Sequence, residues 1–273
     1  MAAPAANAPS NLLLRTISAL VLAPIVLGAI YLGGTAFAVL LAAAGLAMTY
    51  EWDRLCGGTG YSAPAIFHGA VVVAVAVMAD EANAILALVA IAAGTVAAGL
   101  AAQRLARSAI WQAAGVLYAG FPILALVLLR GDPVDGRAVV LWLFGVVWAT
   151  DIGGYIVGRA LGGPKLTRIS PNKTWSGLAG AVALAAAAGT AIAVALAMGP
   201  WVRFATFAAL IGLIAQAGDI GESWVKRCRA VKDSGSLIPG HGGILDRVDG
   251  LVTAAPALAL IALIHPGSGM AWR

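Results

Sequence analysis

The sequence predicts an all-helical, polytopic integral membrane protein, on three observations. Its 273 residues are 61% hydrophobic and 11% charged, against roughly 25% charged in a soluble domain. The apolar residues fall in runs of about 17 to 25, the length that crosses a hydrocarbon layer of about 30 Å. Gly, Pro and charged residues separate the runs, and the basic ones collect on alternate connections.

Nine runs qualify as spans, at 12–32, 34–52, 63–79, 82–102, 110–130, 137–160, 175–198, 202–225 and 247–265. The first follows Arg15, and the short second and third are closed by Arg54 and by the Asp80-Glu81 turn. Arg104 and Arg107 close the fourth, and Arg130 and Arg137 flank the break between the fifth and sixth. The seventh carries an Ala-rich stretch from Ala179 to Ala197, which predicts close helix packing through small residues. The eighth runs from Phe204 into polar residues, and the ninth opens with Asp246-Arg247-Val248-Asp249.

Nine spans put the two ends of the chain on opposite sides. One side then receives Arg15, Arg54, Arg104, Arg107, the basic residues of 159–173 and those of 226–247, thirteen of the 17 Lys and Arg. The other receives Arg130, Arg137, Arg203 and Arg273. The richer side is expected to face the cytoplasm. A net charge of +5 is therefore read as topogenic and lipid-facing, with no nucleic-acid partner. Cys56 and Cys228 fall on the cytoplasmic side without CxxC spacing, which predicts free thiols. The first eleven residues lack positive charge and the stretch after Arg15 lacks a cleavage site, so no removable signal peptide is expected. The organisation read from this is an N-terminal tail at 1–11 and helices at 12–109. A catalytic half follows at 110–273, with cytoplasmic loops at 159–174 and 226–247.

Charged residues at the span ends point to chemistry. Asp219, Glu222, Ser223 and Lys226 share one helical face. A carboxylate in hydrocarbon costs about 2.5–3.5 kcal/mol on the insertion scale, so two together mark a polar cavity or a helix end. The bland alternative is a juxtamembrane ion pair between Glu222 and Lys226, four residues apart. Lys226-Arg227, Lys232-Asp233 and a glycine-rich stretch with His241-Gly242-Gly243 follow. Asp246 and Asp249 lie one turn apart, a spacing that suits a divalent cation, although acidic residues also favour a helix N-terminus for its dipole alone. Cations, carboxylates and backbone amides together suit a metal-bound polyphosphate. Upstream, Asp151 shares a face with Tyr155 and Arg159, and the loop Gly162 to Thr174 holds Lys165, Arg168 and Lys173. That loop is not a Walker A motif, because Pro164 stands in the lysine position after a membrane helix. Its basic residues either bind phosphate or set topology.

The run Ser223-Trp-Val-Lys-Arg, then Lys232-Asp233, then Leu237-Ile-Pro-Gly-His-Gly-Gly-Ile-Leu-Asp-Arg-Val-Asp249 resembles the signature of phosphatidate cytidylyltransferases, also called CDP-diacylglycerol synthases. Weaker similarity extends through Asp151-Ile-Gly-Gly-Tyr155 and Ser170-Pro-Asn-Lys-Thr-Trp-Ser-Gly177. Ser176 stands where relatives carry Glu or Gln, and Ile152 where a hydroxyl is frequent. The resemblance implies transfer of CMP from CTP to phosphatidic acid, giving CDP-diacylglycerol and pyrophosphate. It also implies Mg2+, an assisting monovalent cation such as K+, a homodimer, and a site open to bilayer and cytoplasm in the inner cell membrane.

The residues support that chemistry. A phosphate monoester with a second pKa of about 6 is largely dianionic at neutral pH, so it needs little general-base help. Positioning and charge neutralisation then carry an in-line displacement. Asp219, Asp246 and Asp249 are the expected metal ligands. Lys226, Arg227, Lys232 and Arg247 are expected to neutralise phosphate oxygens, and Ser223 to add a ligand or hydrogen bond. His241 either orients a phosphate, protonates pyrophosphate or shapes its turn. Gly242 and Gly243 let backbone amides approach the ligand. Ser170, Asn172, Lys173 and Thr174 are expected to bind nucleotide or lipid headgroup. A lipid kinase, a CDP-alcohol phosphotransferase and an ion-coupled transporter are the rival readings. Asp246→Asn is expected to abolish turnover and leave membrane insertion intact, and near-normal activity would remove the metal-ligand assignment.

Overall fold

A computed structural model describes residues 11–264 apart from 239 and 241. Among the described residues it forms nine helices: α1 (Asn11–Leu32), α2 (Gly34–Leu55), α3 (Ala63–Asp80), α4 (Ala84–Arg104), α5 (Ala109–Gly131), α6 (Gly136–Leu161), α7 (Trp175–Ala195), α8 (Trp201–Cys228) and α9 (Leu245–Ile264). Eight of them, α2 to α9, are long and apolar enough to cross a membrane, while the apolar part of α1 is the shorter Thr16–Leu32. The polytopic helical class holds, and the chain is a multi-pass membrane protein. The two described cysteines are free thiols.

Helices α6, α7, α8 and α9 pack in succession, α2 to α5 form a second group, and α5 lies against α9 to join them. Small residues set the spacing of α6 on α7. Gly177, Gly180, Ala181, Ala185, Gly189 and Ala193 form the buried face of α7. A Cβ on Gly153 of α6 would stand 2.6 Å from the carbonyl oxygen of Gly180. Without a hydrophobic force between helices in lipid, such close backbone approach supplies the packing energy. The Ala-rich stretch does pack this way.

Four helices overrun or undershoot the expected ends for one reason. After α3, α4, α7 and α8 the chain turns through Ala82, Ala106, Ala197 and Ala230, whose φ values are 58°, 51°, 51° and 55°. In each case the next amide reaches back five residues: Asn83 to Met78, Arg107 to Ala102, Met198 to Ala193 and Val231 to Lys226. This is the Schellman closure that normally recruits glycine, so the usual stop signal is absent from the sequence. As a result α8 continues to Cys228 and Lys226-Arg227 are helical, while α9 already begins at Leu245. The connection between them is 229–244, shorter than the expected loop 226–247. At 28 residues, α8 is about 42 Å long, which exceeds the hydrocarbon layer of about 30 Å. Its last turns therefore carry polar residues out of the lipid.

A left-handed alanine costs about 1–2 kcal/mol relative to glycine. Ala197→Gly is expected to raise the unfolding midpoint in detergent, and Gly153→Ala to lower it by crowding Gly180 at about 1–3 kcal/mol. Thermal melts of the purified variants check both.

Candidate active site

The loop after α6 is built by its own backbone. Leu166 donates to the Lys173 carbonyl at 2.9 Å, Lys173 to that of Ser170 at 3.0 Å, and Trp175 to that of Pro164 at 3.1 Å. Thr174 then caps α7, its hydroxyl accepting from the Gly177 amide at 3.1 Å. Ser176, one of the two departures from the family pattern, donates to the Gly162 carbonyl and lies 2.9 Å from the Thr174 hydroxyl, so it ties the loop's two ends together. Ile152, the other, is exposed on α6. The folded loop points Lys173 at α8, where its ammonium pairs with Asp219 at 2.6 Å and donates to the Gln216 side chain at 2.9 Å.

A second charge cluster joins the end of α8 to the start of α9. Lys226 lies 2.5 Å from Glu222 and 2.6 Å from Asp246, and all three side chains are largely withdrawn from solvent. The pairing of Glu222 with Lys226 offered as the bland alternative is therefore present, and it extends to Asp246. The second oxygen of Asp246 accepts from the Ser234 amide at 3.1 Å, the Ser234 hydroxyl at 2.9 Å and the Gly243 amide at 3.2 Å. Gly242 exchanges backbone hydrogen bonds with Ile238, at 2.9 and 3.1 Å. Both glycine amides are thus engaged within the chain. A Cβ on Gly243 would stand 2.0 Å from the Ser234 hydroxyl oxygen.

Between these clusters lies a cavity of about 390 Å³. It gathers Ser170, Asn172, Lys173 and Thr174 from the loop, Gln216 and Asp219 from α8, and Asp246, Arg247 and Asp249 from α9, with Asp151 and Tyr155 on the α6 side. Eight of the fifteen expected site residues line it, namely Ser170, Asn172, Lys173, Thr174, Asp219, Asp246, Arg247 and Asp249. Lys226, Gly242 and Gly243 stand behind Asp246. Ser223 is half-buried on α8, Arg227 and Lys232 are exposed, and Arg227 donates to the Val231 carbonyl at 3.2 Å. His241 lies outside the described residues. Another cavity, of about 420 Å³, is mostly apolar, is lined by Phe37, Val127 and Leu263 among others, and contains no expected site residue.

Sequence reasoning missed Gln216, Ser234 and above all Glu51. Glu51 is fully buried at the end of α2, and its carboxylate accepts from the Ile244 and Leu245 amides at 3.0 Å each. An acidic residue closing an apolar run was the available signal, the same one that singled out Asp219. Around it, Trp52 donates to the Trp111 carbonyl at 2.9 Å, Trp111 stacks 5.7 Å from Trp224, and Arg229 lies 4.6 Å over Trp111. Arg229 also reaches the Cys56 sulfur at 3.8 Å, and burial pushes that thiol above its ordinary pKa despite the guanidinium.

Lys226→Met strands the Glu222 carboxylate in a buried setting, which costs about 3–5 kcal/mol when one partner of such a pair is removed. It is expected to lose both activity and thermal stability in detergent, and Glu222→Gln on that background should restore stability while activity stays low.

Comparison with known proteins finds relatives along most of the chain. The model of a family described as the cytidylyltransferase family matches residues 13–265. The phosphatidate cytidylyltransferase of Brucella suis biovar 1 (strain 1330) is 45% identical over 259 residues, covering 93% of this chain and 94% of its own. That of Brucella abortus biovar 1 (strain 9-941) matches to the same extent. The phosphatidate cytidylyltransferase of Helicobacter pylori (strain J99 / ATCC 700824) is 39% identical over 145 residues, covering 53% of this chain and 54% of its own. With a match across nearly its whole length, and with the polar loops that carry the resemblance meeting at one cavity, the chain belongs to the cytidylyltransferase family.

Proposed function

We propose that this chain is a phosphatidate cytidylyltransferase, a nucleotidyltransferase of phospholipid biosynthesis that transfers CMP from CTP to phosphatidic acid. The observation that carries the reading is the convergence of Lys173, Asp219, Arg247 and Asp249 from three separate elements on one cavity. In the reaction, a phosphate oxygen of phosphatidate bonds to the α-phosphorus of CTP, and the bond from that phosphorus to the oxygen bridging to the β-phosphate breaks. CDP-diacylglycerol and pyrophosphate result. The nucleophile is already dianionic, so no base is required of the chain. What the chain supplies is alignment and countercharge.

The donor set fits magnesium. Among the described residues no three His, Cys, Asp or Glu side chains form a ready cage, but Mg2+ is ordinarily held by one or two carboxylates, with waters and substrate phosphates completing the octahedron. Asp219 and Asp249 would hold it, with Asp246 alongside. When bound, the ion supplies charge neutralisation on the triphosphate and the leaving pyrophosphate. A monovalent cation such as K+ is the proposed assistant. Lys173, which lines the cavity beside Asp219, would neutralise a phosphate oxygen. Arg247 neutralises another, and Ser170, Asn172 and Thr174 shape the loop face of the cavity. Lys226 acts through Asp246, which it holds in place, and Arg227 and Lys232 sit at the exposed rim as an electrostatic attraction for the nucleotide. The bias of thirteen basic residues to one side supports a site facing the cytoplasm in the inner membrane. A homodimer is the proposed assembly, resting on the family resemblance.

The test is purified protein with CTP, phosphatidate and magnesium, scored for pyrophosphate and CDP-diacylglycerol. Both products are expected, and chelation of the metal should stop their formation. Activity with ATP and a neutral lipid alcohol in their place would overturn the reading.

A further inference from the structure

We propose that Glu51 is a positioning residue for the transfer reaction, acting from the N-terminal half of the chain to hold the start of α9 in register with α8. The inference rests on the cytidylyl-transfer reading above and adds a residue outside the segments that carry the family resemblance. Glu51 is a carboxylate with 0% exposure near the end of a membrane helix, where an unpartnered charge is expensive. Its partners all belong to the distant segment. One oxygen accepts from the Ile244 amide at 3.0 Å; the other accepts from the Leu245 amide at 3.0 Å and lies 3.1 Å from the Ser234 hydroxyl oxygen.

Those amides belong to Ile244, which immediately precedes α9, and to Leu245, its first residue, where N–H groups have no partner within the helix. Glu51 therefore caps the N-terminus of α9 from another helix, and its charge sits at the positive end of the helix dipole. Ser234 links it to Asp246, the hydroxyl lying 3.1 Å from one carboxylate and 2.9 Å from the other. The fit leaves no slack: a Cβ on Gly235 would stand 2.5 Å from a Glu51 oxygen, and one on Gly243 would stand 2.6 Å from the other. Two glycines of the signature segment are thus explained by contact with α2. The consequence is mechanical. Asp246, Arg247 and Asp249 all project from the start of α9, where Glu51 adds to the hold that Lys226, Ser234 and Gly243 have on Asp246. Glu51 does not line the cavity, and so is not itself catalytic.

The test compares wild type with Glu51→Ala, Glu51→Gln, Ser234→Ala and the Glu51→Gln/Ser234→Ala pair, purified in detergent. Steady-state rates are measured with CTP and phosphatidate, and amide hydrogen exchange is measured without either. For Glu51→Ala, kcat/KM for CTP is expected to fall roughly 10- to 100-fold, the range seen when groups supporting a reactive shell are removed, with KM for phosphatidate unchanged. Glu51→Gln keeps one carbonyl acceptor and should lose less. Exchange at Ile244 and Leu245 should quicken while α6 and α7 stay protected, and the pair should lose less than the two single changes combined. The proposal is overturned if Glu51→Ala keeps kcat/KM within about twofold of wild type. It is equally overturned if exchange rises evenly across all helices, or if neither Glu51 variant can be recovered folded, since either outcome makes Glu51 a general packing residue. A wild type inactive with CTP and phosphatidate would sink the functional reading, and the exchange pattern would still decide whether Glu51 anchors α9.

Discussion

Hydrocarbon does not tolerate an unpartnered charge, and the architecture of this protein follows from that constraint. Every carboxylate that the apolar helices carry toward their polar ends must meet a cation, an amide or a cavity. Lys226 answers two of them at once, at 2.5 Å from Glu222 and 2.6 Å from Asp246. Lys173 answers Asp219 at 2.6 Å. Near Glu51 at the end of α2, Arg107 meets Asp53 at 2.8 Å, and the Ser62 hydroxyl and Gly60 amide complete that carboxylate's shell at 2.6 and 2.9 Å. Apart from Glu222 with Lys226, which lie one turn apart on α8, each pairing joins separate segments of the chain. The same bonds that make the charges tolerable therefore bring the polar loops to one place.

Packing and chemistry meet on α8. Its apolar part lies against α7 through Ala208 and Gly212 and against Gly250 of α9 through Ala215, and its overlong end presents Gln216, Asp219, Glu222 and Lys226 along one face. The loop before α7 contributes Lys173 to that face and the start of α9 contributes Asp246. A single rigid helix thus sets the separation between the two clusters, which is how sites on regular elements hold their geometry.

Much of this was legible in the residues. Hydrophobic run length located the nine helices of the described residues, because lipid sets the length that a span must reach. The cavity's acidic and basic members were legible by the reverse logic, since Asp219, Asp246, Asp249 and Lys173 are costly where they stand. The helix ends were less so. Alanine occupies the left-handed position after α3, α4, α7 and α8, and alanine carries no stop signal. Glu51 was hidden for a different reason. Its partners are two backbone amides and a hydroxyl from residues 234–245, and no periodicity links a carboxylate to amides about two hundred positions away. The different placements of Lys226 and Arg247 were equally invisible, because both are cations beside carboxylates, and only the fold shows Lys226 held between Glu222 and Asp246 while Arg247 lines the cavity.

The loop from Gly162 to Thr174 has a consequence for recognition. Its backbone is cross-linked between Leu166 and Lys173 and between Pro164 and Trp175, and Ser176 closes its base onto Gly162. A segment so fastened has surrendered its conformational freedom before any ligand arrives. The ordering entropy that a floppy phosphate-binding loop would lose at association was met during folding. On the proposed reading, affinity for a nucleotide is then governed by shape and charge match rather than by loop closure, and a mismatched nucleotide would meet a surface that does not remodel itself to accept it.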